Sequence, residues 1–298
     1  MKQLVSKKVR EAGQGYFFMS PTIFVLALFI IGPIFYAIFL AFHKVQLLGT
    51  VSYDFVGFDN FVKILDDNRA HIALWNTFKY VIIVVPAQTF LALVLAATLN
   101  AGLKGQNFFR IVYFLPTLTS SAVLTLIFMW MYNQNGLINH ILEFFNLPTY
   151  NWIGDPKVAL TAIMIMNIWS TAPFFMVIYL AALQDIPKSI YEAAELDGAN
   201  AIQKFFYVTI PNLRPVTSFV VIMGIIGTFQ LFDQSYIFSG GSGGPNNSTL
   251  TVVLLIYQYA FKSLGTMGYA AALAFLLALV ILVATLIQRK LSKEESMY

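Results

Sequence analysis

Polar side chains set inside long apolar runs are the residues of this chain best placed to do chemistry. They are Gln88; then Asn167, Trp169, Ser170 and Thr171; then Gln230, Asp233, Gln234 and Tyr236. A polar group at membrane depth is costly, so it marks a solute pathway or a bond between helices. Amides, a carboxylate, an indole and a phenol together supply donors and acceptors beside aromatic faces, which is what a sugar or polyol hydroxyl array requires. A purely structural use stands beside this one. Asn167 or Gln88 then bridges two helices for about 1 kcal/mol, and Asp233 caps or orients the turn from Ser239 to Pro245. Gly224 and Gly227 read as positions of close helix packing or bending rather than as the lining of a pore.

A second group lies in a polar insert, Tyr191 to Pro211, YEAAELDGANAIQKFFYVTIP, between two apolar runs. Pro187 suits the first turn of a helix, where its missing N–H is not needed. Glu192 and Glu195 lie near the positive end of that helix, and Gly198 is a left-handed stop. A second helix is predicted over 199–208, with Ile202, Phe205 and Phe206 along one side, before Pro211 and Pro215. Ala193 and Ala194 would let another backbone approach closely. Ile190, Tyr191 and Leu196 would offer it apolar anchors, and Glu192 a charge. The same pattern also fits a solvated hairpin that merely joins two spans.

Catalytic and metal-binding patterns are missing from the sequence. It has no Gly-x4-Gly-Lys-Ser/Thr phosphate loop and no Gly-x-Ser-x-Gly elbow. His43, His71 and His140 stand alone and there is no cysteine, so no metal-ligand spacing arises. We therefore expect neither an enzyme nor a cofactor in this chain.

The elements that must carry these groups follow from composition. The chain is 58% hydrophobic and 11% charged, with a mean hydropathy of +0.73, which excludes an ordinary soluble domain. Six runs are long enough to cross a ~30 Å hydrocarbon core: 17–42, 77–99, 109–132, 159–183, 217–238 and 267–288. The first is too long for a cleaved signal and reads as a retained span. Placing the N-terminus inside puts 12 of the 18 Lys and Arg residues, Lys104 among them, on inner segments. That bias sets both termini and the polar insert in the cytoplasm. Basic residues sit in short loops rather than along one face, so no nucleic-acid partner is expected. In the outer loops, 58–65 reads as a short amphipathic stretch, Phe145, Tyr150 and Trp152 suit the headgroup region, and Ser239 to Pro245 (SGGSGGP) reads as a flexible turn.

The insert's spacing, Glu192-Ala193-Ala194, three residues, Gly198, nine residues, then Val208-Thr209-Ile210-Pro211, resembles the EAA loop of binding-protein-dependent ABC importer permeases. Val208 and Ile210 are mild departures from its Ile and Leu. The resemblance extends to Asn76-Thr77-Phe78, to RIVYFLP from Arg110 to Pro116, and to Gly243 through Thr249. Together these resemble the six-span permease of carbohydrate importers of the maltose, multiple-sugar and glycerol-3-phosphate type. The resemblance implies an all-α polytopic membrane protein with type I importer architecture, one permease domain over 1–298 with its loop at 185–215. It implies that Tyr191, Glu192, Ala193, Ala194, Leu196 and Gly198 contact an ATPase, which holds the ATP and Mg. The solute pathway is expected, from the polar residues within the apolar runs, at Asn167, Trp169, Gln230, Asp233 and Gln234. The implied partners are a second related permease in a heterodimer, two ATP-binding cassette ATPase subunits, an external solute-binding protein and membrane lipid. The implied location is a bacterial or archaeal cytoplasmic membrane. The alternatives are an ion-coupled secondary transporter, for which Asp233 is the one acid in the six runs, and a membrane-embedded enzyme.

Overall fold

A backbone surrounded by apolar side chains has to satisfy its own N–H and C=O groups, and helices do so segment by segment. The computed structural model describes residues 2–46, 51–101 and 105–295; Lys104 lies outside the described residues. In order come α1 (residues 2–41), a hairpin of β1 (His43–Gln46) and β2 (Ser52–Phe55), α2 (Asp59–Asp66) and α3 (Asn68–Asn100). Then come α4 (Gln106–Phe114), α5 (Ser121–Met131), α6 (Leu137–Phe144), α7 (Ala159–Asp185), α8 (Lys188–Leu196) and α9 (Ala201–Lys204). The last are α10 (Arg214–Phe229), α11 (Asp233–Phe238), α12 (Val252–Tyr257) and α13 (Met267–Glu295).

Among the described residues, five helical stretches are long and apolar enough to cross a membrane: Gln14–Ala41, Asn68–Asn100, Ala159–Asp185, Arg214–Phe238 and Met267–Ser292. The run at 109–132 is not a single rod. Its halves, Phe108–Leu118 and Ser121–Met131, meet at 100°. Pro116 sits in a tight 3-10 turn, Leu115–Leu118, and Thr119 then turns extended at φ −87°, ψ 136°. Apolarity is continuous through this corner, so hydropathy alone reads it as one span.

The chain forms two compact units, residues 1–64 with 259–275, and residues 65–258 with 276–298. In the first, β1 and β2 pair antiparallel, with His43 opposite Phe55. The amphipathic stretch expected at 58–65 is α2, whose buried Asn60 donates to the carbonyls of Ala41 at 2.9 Å and His43 at 3.1 Å.

The second unit is built on α3 against α7, which bury two apolar clusters. One gathers Tyr80, Val84, Phe128, Tyr132, Ile163 and Met166; the other gathers Ala92, Ala96, Leu99, Met176, Tyr179 and Leu183. Ala92, Ala96 and Ala172 are small enough to let the helix backbones approach. Between the clusters, after Val84 on α3 and Met166 on α7, the interface turns polar at Gln88, Asn167 and Thr171.

The glycine-rich segment after α11 is ordered, contrary to the expected flexible turn. Ser239 Oγ accepts from the Gly243 N–H at 2.9 Å, and Thr249 Oγ1 donates to the Gly244 carbonyl at 2.7 Å. The buried Asn76 amide on α3 donates to the carbonyls of Asn247 at 2.8 Å and Leu250 at 3.0 Å. Thr77 accepts from the Val252 N–H at 3.1 Å. Thus Asn76-Thr77 and the segment from Asn247 to Val252, far apart in sequence, meet in space. The glycines here serve left-handed angles and close contact rather than mobility: a Cβ on Gly243 would fall 2.7 Å from Leu250. The chain then enters α12, which lies between the expected spans at 217–238 and 267–288. Its start is marked by Thr251, which caps the N–H of Leu254.

Between α6 and α7, Asn139 is buried and fully used. Its amide donates to the Tyr150 carbonyl at 2.9 Å, and its oxygen accepts from the Trp152 indole at 2.9 Å. Tyr150 and Trp152 are therefore pinned to the loop that carries them.

Candidate functional site

The polar layer between the two clusters opens into a cavity of about 310 Å³, lined from α3, α7, α10 and the start of α11. Four of the five residues picked out as a pathway border it: Asn167, Gln230, Asp233 and Gln234. Gln88, Thr171 and Thr228 complete the polar wall, with Phe175, Met223 and Phe232 as apolar wall.

What distinguishes these groups is which of them already have partners. Gln88 Oε1 accepts from the Thr171 hydroxyl at 2.7 Å, so Gln88 does bridge two helices. Thr228 returns its hydroxyl to the Gly224 carbonyl at 2.7 Å. By contrast, the side chains of Asn167, Gln230, Asp233 and Gln234 make no hydrogen bond or ion pair among the described residues. Asn167 is buried, yet only its backbone carbonyl is engaged, by Ser170 and Thr171. Unused donors and acceptors facing a cavity are available to a solute. Asp233 opens α11 at the cavity's exposed rim and makes none of the bonds that hold the Ser239–Pro245 turn. Tyr236 does not line the cavity; its ring packs against Phe232 and Tyr257.

Trp169 is elsewhere. Positions two apart on a helix do not share a face, and Trp169 points away from Asn167 into an apolar groove with Ile127 and Ile165, its ring 5.5 Å from Phe128. It is 47% exposed. Ser170 borders a second, adjoining cavity with Thr117, Thr119 and Ser121 from the α4–α5 corner, and the two cavities share Thr171, Phe175 and Gln234.

Both glycines of α10 line the main cavity, which corrects the expectation of packing alone. Gly224 does serve close approach, since a Cβ there would sit 2.7 Å from Gln88 Nε2. Gly227 faces space: a Cβ would meet nothing within 4 Å. Sequence reasoning also missed Tyr80, which lies eight residues before Gln88 on the same side of α3 and borders the cavity. That spacing was the available signal.

The insert folds as a helical hairpin. Pro187 stands just before α8 rather than within its first turn. Gly198 ends α8 at φ +81°, with the N–H of Ala199 reaching the Ala194 carbonyl at 2.9 Å and that of Gly198 reaching Glu195 at 3.0 Å. This paired closure is the Schellman stop. Asn200 and Gln203 then cap one another at the start of α9, each bond 2.9 Å. The second helix is shorter than predicted at 199–208: α9 widens into a π-turn, Phe205–Thr209, and the chain continues helically through Pro211. A wide turn relieves the clash between a proline ring and the preceding carbonyls. The hairpin's own ties are Tyr191 to Thr209, hydroxyl to hydroxyl at 3.0 Å, and Lys204 to Glu195. Tyr191 thus fixes α8 from within.

Nothing on α8 is buried. Leu196 is 90% exposed, Glu192 and Ala193 are exposed, Ala194 is half-exposed, and Glu192 has no ion pair among the described residues. An apolar tip, a free carboxylate and small residues on one exposed helix form a surface fit for another protein.

A sequence profile described as binding-protein-dependent transport system inner membrane component matches residues 88–295. The chain is 35% identical over 283 residues to the lactose transport system permease protein of Rhizobium radiobacter, with 94% of each chain covered. It is 32% identical over 292 residues to the trehalose/maltose transport system permease protein of Thermococcus litoralis, with 97% of each covered. Its fold is similar to that of a chain of the bacterial alginate ABC transporter solved in complex with an alginate pentasaccharide-bound periplasmic protein. The TM-score is 0.84 at 20% identity, over 97% of this chain and 96% of that one. A cavity walled by unused polar groups, joined by continuous helices to an exposed hairpin, is thus carried on a shared fold and a matching sequence: the chain belongs to the binding-protein-dependent transport system inner membrane components, the membrane subunits of ABC importers, and is a transport component rather than an enzyme.

Proposed function

We propose that this subunit, as one permease domain over 1–298, passes a neutral sugar or related polyol through the cavity bordered by Asn167 and Gln230. The observation that carries the reading is the convergence of four unpartnered polar side chains on that space. No Lys or Arg is among its lining residues, so it offers a phosphorylated or acidic solute no counter-charge. The named substrates of the two relatives above, lactose and trehalose or maltose, are sugars of this neutral class.

On this reading both termini and the hairpin are cytoplasmic, in the cytoplasmic membrane of a bacterium or archaeon. Glu192, Ala193, Ala194 and Leu196 meet one of two ATP-binding cassette ATPase subunits, which hold ATP and Mg; Tyr191 and Gly198 fix the angle at which they are presented. A second related permease completes the pathway, an external solute-binding protein delivers the solute, and lipid surrounds the spans. ATP shifts the pathway between inward and outward access only through contacts that differ between the two states, and the exposed face of α8 supplies them.

The test is reconstitution of the full transporter with Glu192→Lys or Gly198→Asp in this chain. Loss of solute-stimulated ATPase activity and of uptake, with the complex still assembled, is expected. Wild-type coupling in both variants would defeat the hairpin assignment. Unchanged rate and specificity in Asn167→Ala, Gln230→Ala and Gln234→Ala would defeat the pathway assignment.

A further inference from the structure

Among the described residues, three tyrosines are fully buried: Tyr80, Tyr132 and Tyr179. Two have partners, since Tyr132 donates to the Ala162 carbonyl at 3.0 Å and Tyr179 to the Thr217 hydroxyl at 3.0 Å. Tyr80 is 0% exposed and its hydroxyl has no hydrogen-bond partner among the described residues. Its ring is well packed in the cluster with Val84, Ile163 and Leu231. Phenylalanine would fill the same space without leaving a hydroxyl stranded, and a stranded hydroxyl is a standing penalty. An unpaired buried polar group calls for a use outside the packing. Tyr80 also borders the polar cavity, as do the unpartnered Asn167 and the Gln88–Thr171 bridge.

We infer that Tyr80 is a substrate-contacting, specificity-determining residue, whose hydroxyl, shielded in this conformation, is uncovered as the pathway opens and pairs with one hydroxyl of a neutral sugar occupying the cavity. This rests on the pathway reading above and extends it to a group on α3, a helix that otherwise contributes only Gln88 to the polar wall. The solute hydroxyl supplies the partner that the protein does not. A site built around such a bond discriminates against an analogue lacking that one hydroxyl, because the tyrosine is then stranded again.

The experiment uses the full transporter, this chain with its cognate permease, ATPase and binding protein, in proteoliposomes. Uptake of radiolabelled lactose, maltose and trehalose selects a transported sugar, and its monodeoxy analogues serve as competitors. Tyr80→Phe should raise the apparent KM for that sugar about tenfold, the effect of one lost hydrogen bond. It should also abolish discrimination against one monodeoxy analogue, while the melting temperature of the complex does not fall. An unchanged KM with unchanged ranking of the analogues overturns the assignment. So does early melting of Tyr80→Phe, which would give the hydroxyl a structural partner. Gly227→Phe is the companion variant, because Gly227 lines the cavity, a Cβ there meets nothing within 4 Å, and the added ring takes up cavity space. If Gly227→Phe blocks uptake and Tyr80→Phe is silent, only the role of Tyr80 falls. If Gly227→Phe transports like the wild type, the pathway reading falls and Tyr80 with it.

Discussion

Gly198 and Gly243 hold almost the same backbone angle, φ +81° and φ +80°, in opposite surroundings. Alanine at either site adopts a left-handed conformation at a cost of about 1–2 kcal/mol. At Gly198 that is the whole cost, because an added Cβ meets nothing within 4 Å. At Gly243 the Cβ would stand 2.7 Å from Leu250 Cδ1, 2.8 Å from its Cβ and 3.1 Å from its Cα. Leu250 has little room to yield: it is 0% exposed, its N–H is bonded to Asn247 at 3.1 Å, and its carbonyl accepts from Asn76 at 3.0 Å. Overpacking of that kind costs about 1–3 kcal/mol more. Gly243→Ala should therefore lose about 2–5 kcal/mol against about 1–2 for Gly198→Ala. The assay is thermal unfolding of the purified complex followed by intrinsic tryptophan fluorescence, with solute-stimulated ATPase measured alongside. Gly243→Ala is expected to melt well below Gly198→Ala, while Gly198→Ala loses ATPase stimulation out of proportion to its small change in stability. Equal melting temperatures would refute the reasoning, because they would mean the segment around Gly243 gives way as a flexible turn would.

Asn76→Ala deletes the bonds to Asn247 and Leu250 and should destabilise by about 1–3 kcal/mol; hydrogen exchange should rise across 243–250. Gly224→Ala should push the Gln88 amide aside and break its 2.7 Å bond to Thr171, costing about 1 kcal/mol. In a Gln88→Ala background the same change should be neutral, a coupling that a double-mutant cycle of melting temperatures reads directly. Tyr191→Phe removes the 3.0 Å tie to Thr209, and ATPase stimulation should fall while the KM for solute holds. Trp169→Leu should leave KM and specificity unchanged in uptake assays, since its ring faces the apolar groove.

The polar layer was legible because an amide inside an apolar run has few uses, and the residue types named Asn167, Gln230 and Gln234 directly. Trp169 was grouped with Asn167 by adjacency in sequence, whereas helical geometry turns the two side chains to different faces. The same geometry, applied from Gln88 back along α3, would have led to Tyr80. The bend after Leu118 escaped notice because hydropathy is blind to turn chemistry. The segment from Gly240 to Gly244 misleads in the opposite direction: its composition reads as loose, yet Gly241 and Gly243 lie against Tyr236 and Leu250 and its serine ties a carbonyl. α12 was too short to register as a span.

The hairpin was the most legible part, because Gly198, Asn200 and Gln203 encode its turn locally and need no tertiary context. Its connection to the cavity follows from chain order. α7 carries Asn167 and Thr171 and ends at Asp185, and α10 begins at Arg214 and leads to Thr228. Everything between them is the hairpin. From Thr171 to Asp185 a helix rises about 21 Å at 1.5 Å per residue, so a shift of the hairpin reaches both polar walls along rods that are already hydrogen-bonded. Pro173 lies within the first of those rods, just past Thr171. It has no N–H to give the carbonyl four residues earlier, and that is where α7 bends at least cost. On the proposed reading, motion imposed at α8 is thereby converted into a change at the Gln88–Thr171 bridge, the bond that joins α3 to α7 at the cavity wall.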